Sequence, residues 1–196
     1  MFNKCKLKIG FDFDGTIIDH TQNKILIARQ YGFEIQSAQT PSRRLKKIVS
    51  EPVYRQIQNE IYGSLTLSAP IMDGAISALE ELNKIAELFL ISRRQSPEFR
   101  LVAKKWLADN LSHIFSETAI FFVDTNQDKN NFCRDLKINI YIDDNLSVLE
   151  YLNDVLYRHW FDQYDLSGEV DHQGTIVVKS WEDFLNKIKR LSIAQP

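Results

Sequence analysis

The chain of 196 residues has little cysteine, glycine or proline and no strong excess of either charge. Its two cysteines, Cys5 and Cys133, are too few for a disulfide framework and form no CxxC pair, so both are expected to be reduced and structural. Seven glycines and five prolines exclude a collagen-like or low-complexity chain. With 24 basic against 26 acidic side chains, the formal charge of −2 supplies no broad field for a polyanion. A nucleic-acid polymer is therefore not an expected partner, nor is a membrane surface. The longest apolar runs, Leu88 to Ile91 and Ala119 to Val123, fall far short of the roughly 20 residues that span a bilayer. The opening segment, MFNKCKLKIGFDFD, interleaves lysines with apolar residues and lacks the apolar block of a signal peptide, so a cytoplasmic location is expected. The four histidines (His20, His113, His159 and His172) show no metal-ligand spacing, and zinc is not expected.

What is present is a globular composition, 44% hydrophobic and 11% aromatic, in a length that suits one domain with an insertion. Lys6 to Phe13 reads as a buried strand, and Gln22 to Tyr31 as a helix closed by Gly32. From Glu34 to Pro70 the composition turns polar, with short helices over Arg43 to Val49 and Val53 to Ile61. Beyond Pro70 the pattern alternates. Helices are expected near Gly74 to Ile85 (Ile76, Leu79, Leu82 and Ile85 on one face), Pro97 to Asn110, Asn130 to Leu136, Leu146 to Asn153 and Trp181 to Leu191. Strands are expected over Glu87 to Ile91, Ile120 to Val123, Ile138 to Ile142, Val155 to Trp160 and Thr175 to Val178. Such alternation implies an α/β fold with a Rossmann-like, doubly wound, mostly parallel sheet and a small helical insertion after the first strand. Residues 1–20 and 71–196 would form the core, and 21–70 the insert.

In open α/β sheets the ligand site lies beyond the carboxyl ends of the strands. The polar residues suited to chemistry fall at such ends: Asp12 and Asp14 after the first strand, Ser92 after the second, Asp143 and Asp144 after the fourth. Asp12 and Asp14 raise each other's pKa unless a cation or donor lies between them, a cost that a hard divalent ion such as Mg²⁺ relieves. A string DxDGT arises by chance in a chain of this length in well under about 1 case in 100.

The string IGFDFDGTIID resembles the first signature of the haloacid dehalogenase-like hydrolase superfamily. LFLISRR resembles the second, an apolar strand ending at Ser92; Lys129 in DTNQDKNNF resembles the third; IYIDDN resembles the fourth. The resemblance implies a phosphatase with a small cap, acting through an aspartyl-phosphate. Asp12 would then be the nucleophile, and Asp14 the general acid that later activates water. Ser92 and Lys129 would stabilise charge on the phosphoryl group. Asp12, the backbone carbonyl of Asp14, and Asp144 or Asp143 would hold Mg²⁺, with Asp144 aligned to the usual ligand. The later acid common in the family is replaced, because Ser147 and Val148 fill its places. Amides of Phe13, Gly15 and Arg93, with Thr16 nearby, are candidate phosphate contacts, as are the Arg93 and Arg94 side chains.

The segment 21–70 would be the cap. ISRRQ, IYIDDN and VLYRHWFDQYD together look like the 5′-nucleotidase-like branch, which implies a nucleoside monophosphate or another small phosphomonoester. Arg43, Arg44, Lys46 and Lys47 in SRRLKK could meet a second anionic group of a substrate, but a charge run on a short helix is more often a solvated face. An alternative of another class is a non-catalytic protein of the same fold that binds a phosphorylated ligand or partner. Oligomeric state and the choice between hydrolysis and phosphotransfer are not fixed by the sequence.

Overall fold

The computed structural model describes residues 6–194, with side chains through Leu191. Cys5 lies outside the described residues, whereas Cys133 is a buried free thiol. Six strands form one parallel sheet: β1 (Leu7–Phe11), β2 (Ala86–Arg93), β3 (Ile120–Val123), β4 (Ile140–Asp143), β5 (Tyr157–Phe161) and β6 (Ile176–Val178). Their spatial order is β3-β2-β1-β4-β5-β6. The chain thus builds outward from β1 in one direction, returns, and builds outward in the other. The reversal lies between β1 and β4, where Phe11 pairs with Ile142. That switch point is where an open α/β sheet has room for a ligand between diverging loops.

Three helices cover one face: α4 (Ala75–Ile85), α5 (Pro97–Leu111) and α8 (Trp181–Ala194), packed on Phe11, Leu88 and Leu90. Helices α6 (Asn126–Asp135) and α7 (Leu146–Leu149) cover the other, around Ile91, Tyr141 and Trp160. Tyr141 can lie flat against β1 because its neighbour is Gly10, where an added Cβ would come 2.4 Å from the ring. The inner face of α4 differs from the expected one. Ala75, Ala78, Leu79 and Leu82 are buried while Ile76 and Ile85 are exposed, because packing against α8 selects the small-residue stripe.

Between β1 and α4 the chain leaves the sheet and returns beside itself: Ile18 bridges Ile71, and the Asp19 amide donates to the Pro70 carbonyl at 2.9 Å. The excursion contains α1 (Thr21–Gln30), α2 (Ser42–Ile48) and α3 (Glu51–Tyr62). These helices bury a core of their own, including Ile27, Leu45, Tyr54, Ile57 and Ile61. α2 is tied back to the sheet body, since Arg44 Nε donates to Glu169 at 3.1 Å across the β5–β6 connection. α6 begins earlier than its hydrophobic pattern suggests, because Thr125 and Asp128 form a reciprocal capping box that starts the helix at Asn126.

Candidate active site

The strand ends at the switch point converge on a cavity of about 270 Å³ that contains Asp12, Asp14, Ser92, Lys129, Asp143 and Asp144. Asp12 follows β1 directly, and its amide donates to the Ile142 carbonyl at 3.0 Å, which ties the candidate nucleophile to β4. Lys129 reaches it from the first turn of α6, where the capping box sets the rotation of the helix. Its Nζ lies 2.7 Å from Asp12 Oδ1 and 2.9 Å from Asp143 Oδ2, fully buried. Burial would lower the lysine, but the two carboxylates outweigh it and hold the ammonium charged. Burial pushes Asp12 up to about 7 against the pull of Lys129, with Asp143 and Asp14 adding to the rise.

The acidic pair divides. Asp143 is taken up on both oxygens, by Lys129 and by the Asn145 amide at 2.9 Å. Asp144 is anchored only through its backbone: its amide donates to Thr16 Oγ1 and its carbonyl accepts from Trp160 Nε1. Among the described residues no hydrogen-bond donor is paired with the Asp144 carboxylate, and burial with the adjacent Asp143 charge raises it well above the ordinary range. Oxygens of Asp12, Asp143 and Asp144 lie within 4.8 Å of one another, a hard-oxygen donor set that fits Mg²⁺. The Gly15 turn makes room for it: Gly15 has φ +83°, and a Cβ there would sit 2.4 Å from Asp144 Oδ2.

Asp14 faces a different environment. Arg94 donates through Nη2 at 2.6 Å to Oδ1 and through Nε at 3.0 Å to Oδ2, and His20 Nε2 lies 2.8 Å from Oδ1. Burial alone would raise Asp14, but Arg94 and His20 together hold it well below the usual carboxylate range. The same guanidinium donates to the carbonyls of Tyr62 and Phe99, both at 3.0 Å. It therefore joins Asp14 to the end of α3.

The phosphate contacts expected from sequence are redistributed. Ser92 and Arg93 line the cavity. Arg94 does not, because Asp14 and the two carbonyls consume it behind the wall. The Gly15 amide is used by the turn, donating to the Ile18 carbonyl at 2.9 Å. Thr16 is buried, its hydroxyl spent on the Asp144 amide. The Phe13 side chain is buried beneath the Arg94 guanidinium, with centroid distance 5.1 Å, and against Trp106. The sequence reading missed His20 and the α3 wall of Tyr54, Gln58 and Tyr62. Their four-residue spacing at 54, 58 and 62 places them on one face of α3, a periodicity legible in the sequence once that face is known to be covered. Lys46 is exposed, as the preferred reading of SRRLKK had it, and also lines the cavity, as the other reading required.

No family model matches the chain. Solved structures do. A haloacid dehalogenase-like family hydrolase from Xanthomonas campestris superposes with a TM-score of 0.62 at 13% identity, covering 98% of this chain and 94% of that one. A second, from Streptococcus pneumoniae, gives 0.62 at 16% identity, covering 93% and 98%. The fold is that of the haloacid dehalogenase-like hydrolases. Bacillus subtilis YfnB, of the same fold and solved bound to magnesium, gives 0.58 at 14% identity, covering 94% and 99%. In sequence, a Bacillus cereus protein described as "Putative nucleotidase" is 29% identical over an alignment of 158 positions that covers 74% of this chain and 80% of that protein. In this haloacid dehalogenase-like fold the four sequence signatures come together at one switch point, although they are separated by up to 132 positions between Asp12 and Asp144. Among the described residues, no helix is long and apolar enough to cross a membrane.

Proposed function

We propose that this chain is a Mg²⁺-dependent phosphatase that hydrolyses a small phosphomonoester through an aspartyl-phosphate on Asp12. The observation that carries this reading is the Asp12 carboxylate at the end of β1, in a cavity shared with Ser92, with buried Lys129 at 2.7 Å and the unpaired Asp144 carboxylate beside it. Asp12, Asp144 and the Asp14 carbonyl would hold the metal, with Asp143 oriented behind them by Lys129. When bound, Mg²⁺ would neutralise charge on the transferring phosphoryl oxygens.

The remaining steps belong to the protein. A carboxylate oxygen of Asp12 attacks phosphorus in line, the bond from phosphorus to the ester oxygen breaks, and the departing oxygen takes a proton from Asp14. Water then attacks the phosphorus of the aspartyl-phosphate and gives a proton back to Asp14, which frees the Asp12 carboxylate and inorganic phosphate. Asp14 as found, gripped by Arg94 and His20, is in the ionised form that the water step requires. The acid step requires its carboxyl group to turn away from that grip. Ser92 and Lys129 stabilise the transferring oxygens, and the Arg93 amide is a further donor.

Residues 21–70 act as the cap, with α2 and α3 forming the wall over the cavity and excluding water from the first step. Nucleoside monophosphates belong in the first substrate panel because of the nucleotidase-described relative. The test is hydrolysis of aryl, sugar and nucleoside phosphates with Mg²⁺, with a chelator, and by Asp12→Asn. Turnover that requires both Mg²⁺ and Asp12 supports the proposal. Failure across the panel while Mg²⁺ binds points instead to a non-catalytic binding protein.

A further inference from the structure

The cavity lining carries positive charge that is not paired with the carboxylates at the strand ends. Other cations in or behind the lining are already engaged: Lys129 lies between Asp12 and Asp143, Arg94 grips Asp14 behind the wall, and Lys24 donates to the Thr40 carbonyl at 3.4 Å. Lys46 on α2 and Arg93 at the end of β2 also line the cavity, yet both are exposed and, among the described residues, neither is ion-paired with a carboxylate. They come from insert and sheet and face one cavity, with Tyr54 and Gln58 in the same lining. Lys46 Nζ stands 4.8 Å from the centre of the Tyr54 ring. The Tyr54 hydroxyl accepts a hydrogen bond from Gln58 at 2.8 Å.

The same wall offers little to an uncharged aromatic group. Lys46 stands over the Tyr54 ring, and the Arg94 guanidinium lies 5.1 Å from the Tyr62 ring centre, so both rings already have cations against them. At about 270 Å³ the cavity is at the small end for ligand sites. A compact, charged alcohol matches this lining better than a stacking base.

We propose that Lys46 and Arg93, with the Tyr54 hydroxyl and Gln58, form a subsite for a second anionic group, a carboxylate or a second phosphate, carried on the alcohol portion of the substrate. The substrate class is then a phosphomonoester with two anionic ends, one held over Asp12 and the other between α2 and the end of β2. This rests on the phosphatase reading for the position of the first phosphate.

The test separates binding from turnover. Full-length Asp12→Asn protein with Mg²⁺ is titrated calorimetrically with matched pairs: phosphoglycolate against ethyl phosphate for the carboxylate source, and propane-1,3-diol bisphosphate against propyl phosphate for the phosphate source. In at least one pair the doubly anionic ligand is expected to bind about tenfold tighter, the scale of a charge-assisted contact. The preferred pair identifies the anion. Lys46→Met and Arg93→Met, each added to Asp12→Asn, are expected to bring that ratio close to one. Lys47→Met, on the same helix but outside the cavity lining, is expected to preserve it. Equal affinity within both pairs, or a preference that survives both cavity substitutions, overturns the subsite. Wild-type turnover is read separately: a preference without hydrolysis of any ligand leaves the subsite standing and contradicts the phosphatase reading.

Discussion

Arg93 lines the cavity and is exposed, whereas Arg94, the next residue, is 1% exposed and bonded to Asp14, Tyr62, Phe99 and Thr66. The two arginines look equivalent in the string ISRRQ. A strand's two-residue alternation puts Arg94 on the same side as buried Ser92 and Arg93 on the other. That signal was available, but its consequence depended on Asp14 and Tyr62, 80 and 32 positions away in sequence. The structure therefore predicts very different costs. Arg94→Met leaves the Asp14 carboxylate buried without its cation and is expected to lower stability by about 3–5 kcal/mol. Arg93→Met, on an exposed side chain, should change it by no more than about 0.5 kcal/mol. Urea unfolding of the two variants checks the contrast; similar midpoints would refute the assignment of Arg94 as the buried partner. Asp12, Ser92, Lys129 and Asp144 were legible because each sits at an element end with a recognisable local pattern. His20 had no such pattern.

β5 shows how an element can carry a pH signature far from the chemistry. His159 on β5 is fully buried, its ring packed edge-on against Phe184 with centroids 5.1 Å apart. Neither ring nitrogen makes a hydrogen bond of good geometry, and burial pushes the imidazole down to about 4. The unfolded chain, with an ordinary value near 6.5, then binds the proton more readily than the folded one. The folded state therefore keeps its full stability above about pH 6.5 and loses it as pH falls from there toward about 4. Between pH 7 and pH 5 this one group should remove about 2 kcal/mol. His159→Leu is expected to flatten that part of the profile, read as the difference from wild type in urea midpoints at the two pH values; equal slopes would contradict it. In sequence, Val155 to Trp160 read as a strand, and the structure has that strand at Tyr157–Phe161. The α4 stripe was misread, since helical periodicity gives a direction but only the α8 neighbour decides which adjacent residues turn inward.

At the scale of the whole molecule, the order β3-β2-β1-β4-β5-β6 places the ends of β1, β2 and β4 around one opening, and the insert covers it. Alternation of strands and helices made this sheet legible, because parallel connections leave few arrangements. The contacts between insert and sheet were not legible, since Arg44 with Glu169 and Arg94 with Tyr62 pair residues from distant segments. Metal binding tests the assembled site as a unit. If Asp12 and Asp144 hold Mg²⁺, the ion at 100 times its dissociation constant should stabilise the chain by about 2.7 kcal/mol. Asp144→Asn should lose most of that gain, measured as the Mg²⁺-dependent shift in urea midpoint. An undiminished shift would place the ion elsewhere.

The most direct measurement of the central claim is rapid acid quenching of the enzyme during turnover of its best phosphomonoester, followed by peptide mapping of trapped phosphoryl groups. An acid-stable, base-labile phosphoryl group is expected on the peptide containing Asp12, with neither the group nor turnover in Asp12→Asn. Turnover at the wild-type rate in Asp12→Asn, or a phosphoryl group trapped on another residue, would contradict it.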